Sequence, residues 1–561
     1  MQLSLTNWTR LEKFACISVC ILFVISMCAG ILLPIYTDEV VSKIYHSRLF
    51  DEGLANWTTG LPQCATSFHT PLPVALYFGA LVSSLTYYNV DPVLLRLIGM
   101  LNIPILVAIF VYLVRKISKG RVSYLGAVGG VVGFLGLGVL PFLLIINRPE
   151  QILILSLMFF IAAPMLAKNK SPNIQLAISG LFIAATSIFF FAHSLALFFI
   201  PVVFVSAGYL AWRQNYRFVI MMVLFGVVAY TAFQSYHYSK DFTQCDDAPI
   251  VATIMRSGTL DPHLIATNPK EFFQKGLRNV MTASPAVIAR ALFARQYQSD
   301  WLPKNPTLHA DYFLMIVIAL TMVIFGLLLY GAIGLLVVRV VYCIRHRSID
   351  FNTAIAMSLA AGLFTHEFFY NTWNFYTASL VICVSFVIAL LSLSSFSLCE
   401  KNRRSARALF LFVMVVSLFS QVELLKTTLP QLATIPSAAT KIAEQPLSIP
   451  VFPYHANKEQ IYQAGQACNI SKSGKNTRIV VDEFTSFAFL RADEPILISY
   501  ISGFFGQDIG EGGLVDFLKS IGSAGLITRC SSLPQGLLNS DIHRLGGVCC
   551  IGHGYPQNVN Q

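Results

Sequence analysis

Long apolar runs, separated by short polar stretches, occupy the first three quarters of the chain. A membrane-spanning helix needs roughly 20 mostly apolar residues. We find eleven such runs, which begin near Phe14, Val93, Val122, Gln151, Asn173, Leu195, Phe218, Tyr312, Asn352, Phe375 and Ala408. Because ten further runs follow the first, we interpret the first as a permanent anchor and not as a cleaved signal peptide. The pattern predicts an α-helical polytopic membrane protein with about eleven transmembrane helices.

The composition supports this prediction and excludes two other classes of protein. Of the 561 residues, 55% are hydrophobic and 12% are charged, whereas an ordinary soluble domain has about 25% charged residues. The 43 Phe and 22 Tyr residues are too many for an intrinsically disordered chain. Neither a soluble enzyme nor a disordered protein fits these numbers.

The basic residues predict the orientation of the helices. Residues 426–561 hold ten basic and ten acidic residues, so the net charge of +11 comes from residues 1–425. There, Lys and Arg cluster at alternate ends of the apolar runs, as they do in cytoplasmic loops. The clusters are Arg10 and Lys13, Arg115–Arg121, Lys168 and Lys170, Arg213 and Arg217, Arg345 and Arg347, and Lys401–Arg407. We predict a cytoplasmic N-terminus, and we expect no nucleic-acid partner because no motif for one accompanies the charge.

Two outer loops are predicted on the opposite, extracytoplasmic side, at residues 36–91 and 235–311. The apolar run Leu72–Leu85 lies in the first loop and contains Pro73. If this run crossed the membrane, it would reverse the alternation of the basic clusters. We therefore interpret it as a helix that lies in the membrane interface.

The tail, residues 426–561, is predicted to be a small extracytoplasmic α/β domain that follows a membrane module at 1–425. Its strand-like runs are Arg478–Val481, Ile496–Ile501 and Gly525–Thr528, and its helical run is Gly513–Ile521. Six cysteines would face an oxidising space, where disulfides form: Cys64, Cys245, Cys468, Cys530, Cys549 and Cys550. The spacing leaves their pairing open.

An acidic pair, Asp38 and Glu39, follows the first span directly. In one interpretation Thr37 caps a helix and the two carboxylates favour its dipole. In another, a carboxylate at the membrane surface deprotonates an acceptor hydroxyl as a general base. The two interpretations are compatible.

Several segments, taken in order, resemble the GT-C class of integral-membrane glycosyltransferases. They are Thr-Asp-Glu at 37–39, His-Thr-Pro-Leu-Pro at 69–73, Leu-Arg-Leu-Ile-Gly at 95–99 and Asn-Arg-Pro-Glu at 147–150. The chain resembles in particular the bacterial branch related to protein O-mannosyltransferases and to the aminoarabinose transferase that modifies lipid A. This resemblance covers about residues 10–425. It implies a GT-C fold in which Asp38 is the catalytic carboxylate and Glu39 its neighbour.

The resemblance also implies the reaction. A hexose or pentose would move, with inversion, from a polyprenyl-phosphate donor to an acceptor hydroxyl at the extracytoplasmic face of a bacterial inner membrane. The acceptor would be a glycolipid, a cell-envelope polysaccharide such as O-antigen, or a protein. Membrane lipids complete the expected partners.

Three outward-facing arginines, Arg48, Arg96 and Arg148, are candidates for binding the donor phosphate. The planar guanidinium suits a phosphate because it donates two parallel hydrogen bonds. Glu150 is expected to pair with Arg148 or to cap the fourth span. The alternative for each arginine is contact with lipid headgroups.

Three further residues, His69, His366 and Glu367, are candidates for contact with the sugar. His366 and Glu367 are also considered for a divalent metal, Mg²⁺ or Mn²⁺, for which the sequence defines no ligand set. A histidine at the end of a helix is more often a hydrogen-bonded structural residue.

A transporter or flippase of lipid-linked sugars is the alternative function. Transporters commonly show internal repeats and charged residues within their spans, and neither stands out in this sequence. A third hypothesis is a scaffold whose tail binds cell-wall material, but the first outer loop holds more candidate chemistry than a scaffold needs. The glycosyltransferase interpretation is favoured.

Overall fold

A computed structural model describes most of the chain. The described residues are 10–31, 92–146, 148–212, 214, 216–243, 258–292, 311–370, 375–394, 400–438, 454–470, 478–482, 484–489, 494–498, 518–519, 523–533 and 542–552.

Each of the eleven predicted apolar runs forms helix. In chain order the helices are α1 (Arg10–Ile31), α2 (Pro92–Ile117), α3 (Tyr124–Leu135), α4 (Leu140–Ile145), α5 (Pro149–Ala167), α6 (Pro172–Ala192), α7 (Ile200–Trp212), α8 (Arg217–Thr243), α9 (Leu264–Thr267), α10 (Pro269–Ala291), α11 (Tyr312–Arg345), α12 (Phe351–Phe369), α13 (Phe375–Leu393), α14 (Glu400–Ala438) and α15 (Tyr454–Ala467). A 3-10 turn, Ser194–Phe199, leads into α7.

Within the described residues, eight helices are long and apolar enough to cross a membrane. They are α1, α2, α5, α6, α7 with its 3-10 turn, α8, α11 and α14; α3 and α13 are shorter apolar helices. The prediction of a helical polytopic membrane protein is confirmed. Helix α8 continues to Thr243, beyond the start predicted for the second outer loop.

The third apolar run, predicted as one helix, is divided into α3 and α4. Gly136 ends α3, and Gly138 has a φ of +55°, a conformation that glycine adopts without steric cost. A Cβ atom on Gly138 would lie 2.2 Å from the carbonyl oxygen of Ala291. The Val139 N–H donates to that same oxygen at 3.0 Å. The last residue of α10, Ala291, therefore contacts the backbone between α3 and α4.

The two ends of the helical membrane module differ in their content of basic residues. At one end, which we call the basic end, Arg407 pairs with Glu12 and Arg339 pairs with Asp350 at 2.9 Å. This end also carries the basic clusters predicted to be cytoplasmic. At the other end, called the Arg148 end, lie the last turn of α1, the first turns of α2 and α5, and the last turns of α6 and α12.

Helix α5 is the most enclosed of the eight spans, since 78% of its most apolar window is buried. Phe160 on α5 packs against Phe182 and Phe189 of α6, with ring centroids 4.9 and 5.3 Å apart. The first turn of α5 therefore carries its side chains into the interior of the bundle at the Arg148 end.

The tail contains a five-stranded sheet of order β2-β1-β3-β5-β4. Its strands are β1 (Arg478–Val481), β2 (Glu494–Leu497), β3 (Ser523–Arg529), β4 (His543–Leu545) and β5 (Val548–Gly552). Strand β1 runs parallel to β2 and β3, whereas β5 runs antiparallel to β3 and β4. The predicted small α/β domain is confirmed.

The sequence patterns missed parts of this domain. Strand β2 begins two residues before the predicted Ile496, and β4, β5 and α15 were not predicted. The predicted helical run Gly513–Ile521 lies largely outside the described residues. Two disulfides, Cys468–Cys550 and Cys530–Cys549, join α15 and the turn after β3 to β5.

Candidate active site

Five of the nine predicted site residues lie in the described part of the chain. They are Arg96, Arg148, Glu150, His366 and Glu367, and all lie at the Arg148 end. The other four, Asp38, Glu39, Arg48 and His69, lie outside the described residues.

Arg148 and Glu150 form a two-pronged ion pair where the chain enters α5. The extended backbone of Arg148 (φ −128°, ψ 152°) precedes Pro149, which begins the helix with its fixed φ. Arg148 Nε and Nη2 donate to the two carboxylate oxygens of Glu150 at 3.2 and 3.3 Å. The Glu150 residue is 1% exposed, whereas 13% of the Arg148 side chain is accessible. The carboxylate therefore holds an arginine whose own surface reaches solvent.

His193 ends α6 beside this pair. Because α5 and α6 are antiparallel neighbours, the end of α6 meets the start of α5, and Glu150 interacts electrostatically with His193. His193 Nδ1 accepts a hydrogen bond from the Leu195 N–H at 3.1 Å. A neutral imidazole with Nδ1 as the acceptor carries its proton on Nε2.

The last turn of α12 adds His366 and Tyr370, which also interact electrostatically with Glu150. The two rings are stacked with centroids 5.0 Å apart. His366 is fully buried and meets the edge of Phe198 at 5.8 Å. Tyr370 is partly accessible, and its hydroxyl is hydrogen-bonded to Ser194. One imidazole is thus enclosed, while the phenol lies at the edge of the cluster.

Glu367 is partly buried and follows His366 directly. Successive residues of an α-helix leave the axis about 100° apart. The Glu367 side chain therefore leaves α12 in a different direction from His366.

Arg96 makes a contact that the sequence did not predict. It is fully buried, and its Nη1 donates to the carbonyl oxygen of Gly30 at 2.9 Å, in the last turn of α1. Carbonyls at the end of a helix lack partners within the helix. Arg96 therefore holds the end of α1, and its predicted contact with phosphate stays a prediction.

Helix α2 also connects to α4 and α5 at this end. A Cβ atom on Gly99 would lie 1.8 Å from the carbonyl oxygen of Ile145, so the backbones of α2 and α4 are in contact there. Asn102 Nδ2 donates to Gln151 Oε1 at 3.1 Å. These contacts fix the end of α1 and the start of α5 in one rigid group.

Residues of the predicted second outer loop pack onto the end of α12. The Leu260 N–H donates to the carbonyl oxygen of Phe369 at 2.7 Å, and Asn279 Nδ2 donates to that of Phe368 at 3.0 Å. An isolated β-bridge joins Thr259 to Tyr370. The segment from Thr259 into α10 therefore covers the turn that carries His366 and Tyr370.

We call Arg148, Glu150, His193, His366 and Tyr370 the polar cluster. Arg148, Glu150 and His366 were predicted site residues, whereas His193 and Tyr370 were not among them. Both of these residues lie at ends of predicted spans on the side of Arg148. That shared position was the available signal, and it did not separate them from other residues at helix ends.

A metal site would need three or more suitable ligands close together. Among the side chains that the structure describes, no group of three His, Cys, Asp or Glu residues could hold a metal ion. The polar cluster offers one carboxylate, which is already held by Arg148. The predicted role of Mg²⁺ or Mn²⁺ stays a prediction that the described residues do not support.

No family model matches the sequence, and no curated protein matches it. Solved structures of membrane glycosyltransferases do resemble the fold. One is ArnT from Cupriavidus metallidurans bound to undecaprenyl phosphate, at 10% identity, covering 95% of this chain and 97% of that chain, with a TM-score of 0.45.

The oligosaccharyltransferase AglB from Archaeoglobus fulgidus also resembles the fold. Its complex with an inhibitory peptide and a dolichol-phosphate is 12% identical, covering 93% of this chain and 70% of that chain, with a TM-score of 0.43. A crystal structure of an Archaeoglobus fulgidus oligosaccharyltransferase in complex with Zn and sulfate is 11% identical, covering 91% of this chain and 68% of that chain, with a TM-score of 0.47. ArnT and AglB are GT-C-fold membrane glycosyltransferases.

Proposed function

We propose that this chain is an inverting glycosyltransferase that moves a sugar from a polyprenyl-phosphate donor to an acceptor hydroxyl. The observation that supports the proposal is the polar cluster at the Arg148 end, at the same end as the last turn of α1. Asp38 lies seven positions after Ile31, which ends α1. The proposal therefore has the base, Asp38, act at the same end of the bundle as the phosphate site.

The charge distribution favours an extracytoplasmic position for this end. Basic residues collect at the opposite end, as expected of a cytoplasmic face. The two disulfides of the tail suit an oxidising compartment. A polyprenyl-linked sugar could then keep its lipid in the bilayer while the sugar meets the polar cluster.

The proposed step is an in-line displacement at the anomeric carbon. The acceptor hydroxyl gives its proton to the Asp38 carboxylate, and its oxygen forms a bond to the anomeric carbon. The bond from that carbon to the phosphate oxygen breaks, and the electron pair leaves with polyprenyl phosphate. A carboxylate acting as a general base contributes about 10²–10⁴ in rate.

Arg148 is assigned to the leaving phosphate. The Arg148 side chain is partly accessible and Glu150 holds its guanidinium, so we assign it to stabilise the charge that develops on the phosphate. The accessible edge formed by His193, Ser194 and Tyr370 offers hydrogen bonds to sugar hydroxyls. His366 is buried and its ring stacks on that of Tyr370. We therefore assign it to positioning Tyr370 and not to contact with the sugar.

The reaction can be followed with purified full-length protein in lipid nanodiscs. We expect release of polyprenyl phosphate from a polyprenyl-phosphate sugar when an acceptor hydroxyl is supplied. Asp38→Asn should lower that release by about 10²–10⁴, whereas Asp261→Asn, at an exposed residue just before α9, should retain most of it. Full turnover by a folded Asp38→Asn protein would refute the assignment of the base. Movement of the intact donor between leaflets, without release, would support the transporter instead.

A further inference from the structure

One face of helix α10 packs against the helix bundle. Phe272, Gly276 and Val287 are buried on that face. A Cβ atom on Gly276 would lie 2.1 Å from the ring of Phe368, so α10 and the end of α12 are in direct contact. The hydrogen bond from Asn279 to the Phe368 carbonyl lies on the same side.

A second apolar face of α10 is exposed. Phe273, Leu277 and Met281 are 57%, 50% and 78% exposed. Residues four apart on a helix are neighbours along its surface, so these three side chains form a continuous stripe. We call them the apolar stripe.

Two basic side chains, Lys270 and Arg278, lie on the side of α10 that carries the apolar stripe, because at about 100° per residue they leave the helix about 20° and 100° from Leu277. Lys270, Lys275 and Arg278 are all exposed. Within 269–282 the acidic residue is Glu271, which pairs with Lys275 at 2.6 Å. The exposed surface of this part of α10 therefore combines an apolar line with a net positive charge.

We propose that α10 lies in the membrane interface at the Arg148 end, with the apolar stripe among the acyl chains and with Lys270 and Arg278 on the phosphates of anionic lipids. An amphipathic helix with basic residues beside its apolar face binds a bilayer surface in this way. The bundle face of α10 contacts α12 and α13, and its last carbonyl accepts a hydrogen bond from Val139. Because the bundle lies within the bilayer, the occupant that fits the stripe is the adjacent leaflet and not a soluble protein.

This contact links the lipid to the end of α12. The same helix that presents the apolar stripe also holds the carbonyl of Phe368, two residues after His366. Anionic lipid is therefore expected to restrain the turn that carries Tyr370. This proposal stands independently of the reaction assigned to the polar cluster.

The test uses full-length protein in nanodiscs of neutral phosphatidylcholine or of phosphatidylcholine mixed with phosphatidylglycerol. Hydrogen–deuterium exchange of residues 269–282 is measured in both. We expect slower exchange in the anionic discs, by about fivefold for each basic residue that contacts the leaflet. Replacing Lys270 and Arg278 together by Gln should abolish the difference between the two lipids. A matched double variant at the basic end, with Arg121 and Lys168 replaced by Gln, should retain it.

The apolar stripe has its own test. Leu277→Glu should speed exchange of α10 in both kinds of disc, and Leu277→Ala should do so to a smaller extent. Equal exchange of the unaltered protein in neutral and anionic discs would refute the headgroup contact. Unchanged exchange in both Leu277 variants would refute insertion of the stripe.

Discussion

The tail and the membrane module each contain an arginine–carboxylate pair with a buried carboxylate, but the two arginines differ in exposure. In the tail, Asp482 accepts hydrogen bonds from the backbone N–H groups of Phe484, Thr485 and Arg529. It also accepts them from the hydroxyls of Thr485 and Ser532 and from Arg529 Nε at 2.8 Å. Both charged side chains are buried, at 0% and 1% exposure.

In the membrane module, the Arg148–Glu150 pair has a different environment. Glu150 is buried, but Arg148 remains partly accessible. The surrounding His193, His366 and Tyr370 are themselves ionisable or polar and come from two other helices. The pair therefore belongs to a cluster with an open edge.

The groups that surround each ion pair indicate whether the pair is structural or binds a ligand. A carboxylate whose hydrogen bonds are supplied within one small domain stabilises that domain. A cluster of ionisable groups from several helices, with an accessible cation, is a candidate for ligand binding. We therefore propose a structural role for Asp482 and a binding role for Arg148.

The largest expected effect is in the tail. Asp482→Asn leaves the buried Arg529 guanidinium without its counter-charge, and breaking one partner of a buried pair costs about 3–5 kcal/mol. Proteolytic susceptibility of the tail in urea, measured on the full chain, should report this loss. Glu459→Gln, on the exposed surface of α15, is the control and should change the free energy of unfolding by less than about 0.5 kcal/mol. A similar, small effect of both substitutions would remove the distinction drawn above.

Arg148→Lys tests the other side of the comparison. Lysine keeps the charge but lacks the planar fork, so we expect transfer to fall about 100-fold with little change in thermal stability. Arg121→Lys, exposed at the basic end, should leave both properties unchanged. Loss of stability without loss of transfer in Arg148→Lys would indicate a structural role like that of Asp482.

A smaller effect is expected where the backbones of α2 and α4 meet. Gly99→Ala places a methyl group against the Ile145 carbonyl, and such overpacking costs about 1–3 kcal/mol. The control is Gly180→Ala on α6, where a Cβ atom meets nothing within 4 Å and alanine favours the helix by about 0.5–1 kcal/mol. Thermal unfolding of the two variants should shift in opposite directions. Equal shifts would mean that α2 and α4 are not in contact.

Much of the fold followed from hydropathy because membrane spans need long apolar runs. The break at Gly138 did not, since it depends on the approach of Ala291 from a segment far along the chain. Strands β4 and β5 were missed because their runs are three and five residues long. Periodicity is weak over such lengths.

The site was predictable in part for a related reason. Arg148 and Glu150 stand out locally, as charges beside a proline at the start of an apolar run. Tyr370 does not, because Tyr is common at membrane interfaces and its partner Ser194 is distant in sequence. The role of Arg96 depends on the end of α1, which a local pattern does not show.

The smallest expected effect is the pH dependence of the stability of the tail, which depends on Asp482. Burial by itself raises the pKa of Asp482, but the Arg529 guanidinium and the hydrogen bonds it receives hold that pKa below its ordinary value. A carboxyl whose pKa is lowered by folding stabilises the folded state above its unfolded pKa, about 3.9. That stability is lost as the pH falls through the lower, folded pKa. We therefore expect the urea resistance of the tail to be constant near neutral pH and to decline below about pH 4. Asp482→Asn should remove this part of the decline, and an unchanged acid profile in that variant would assign the decline to other carboxyl groups.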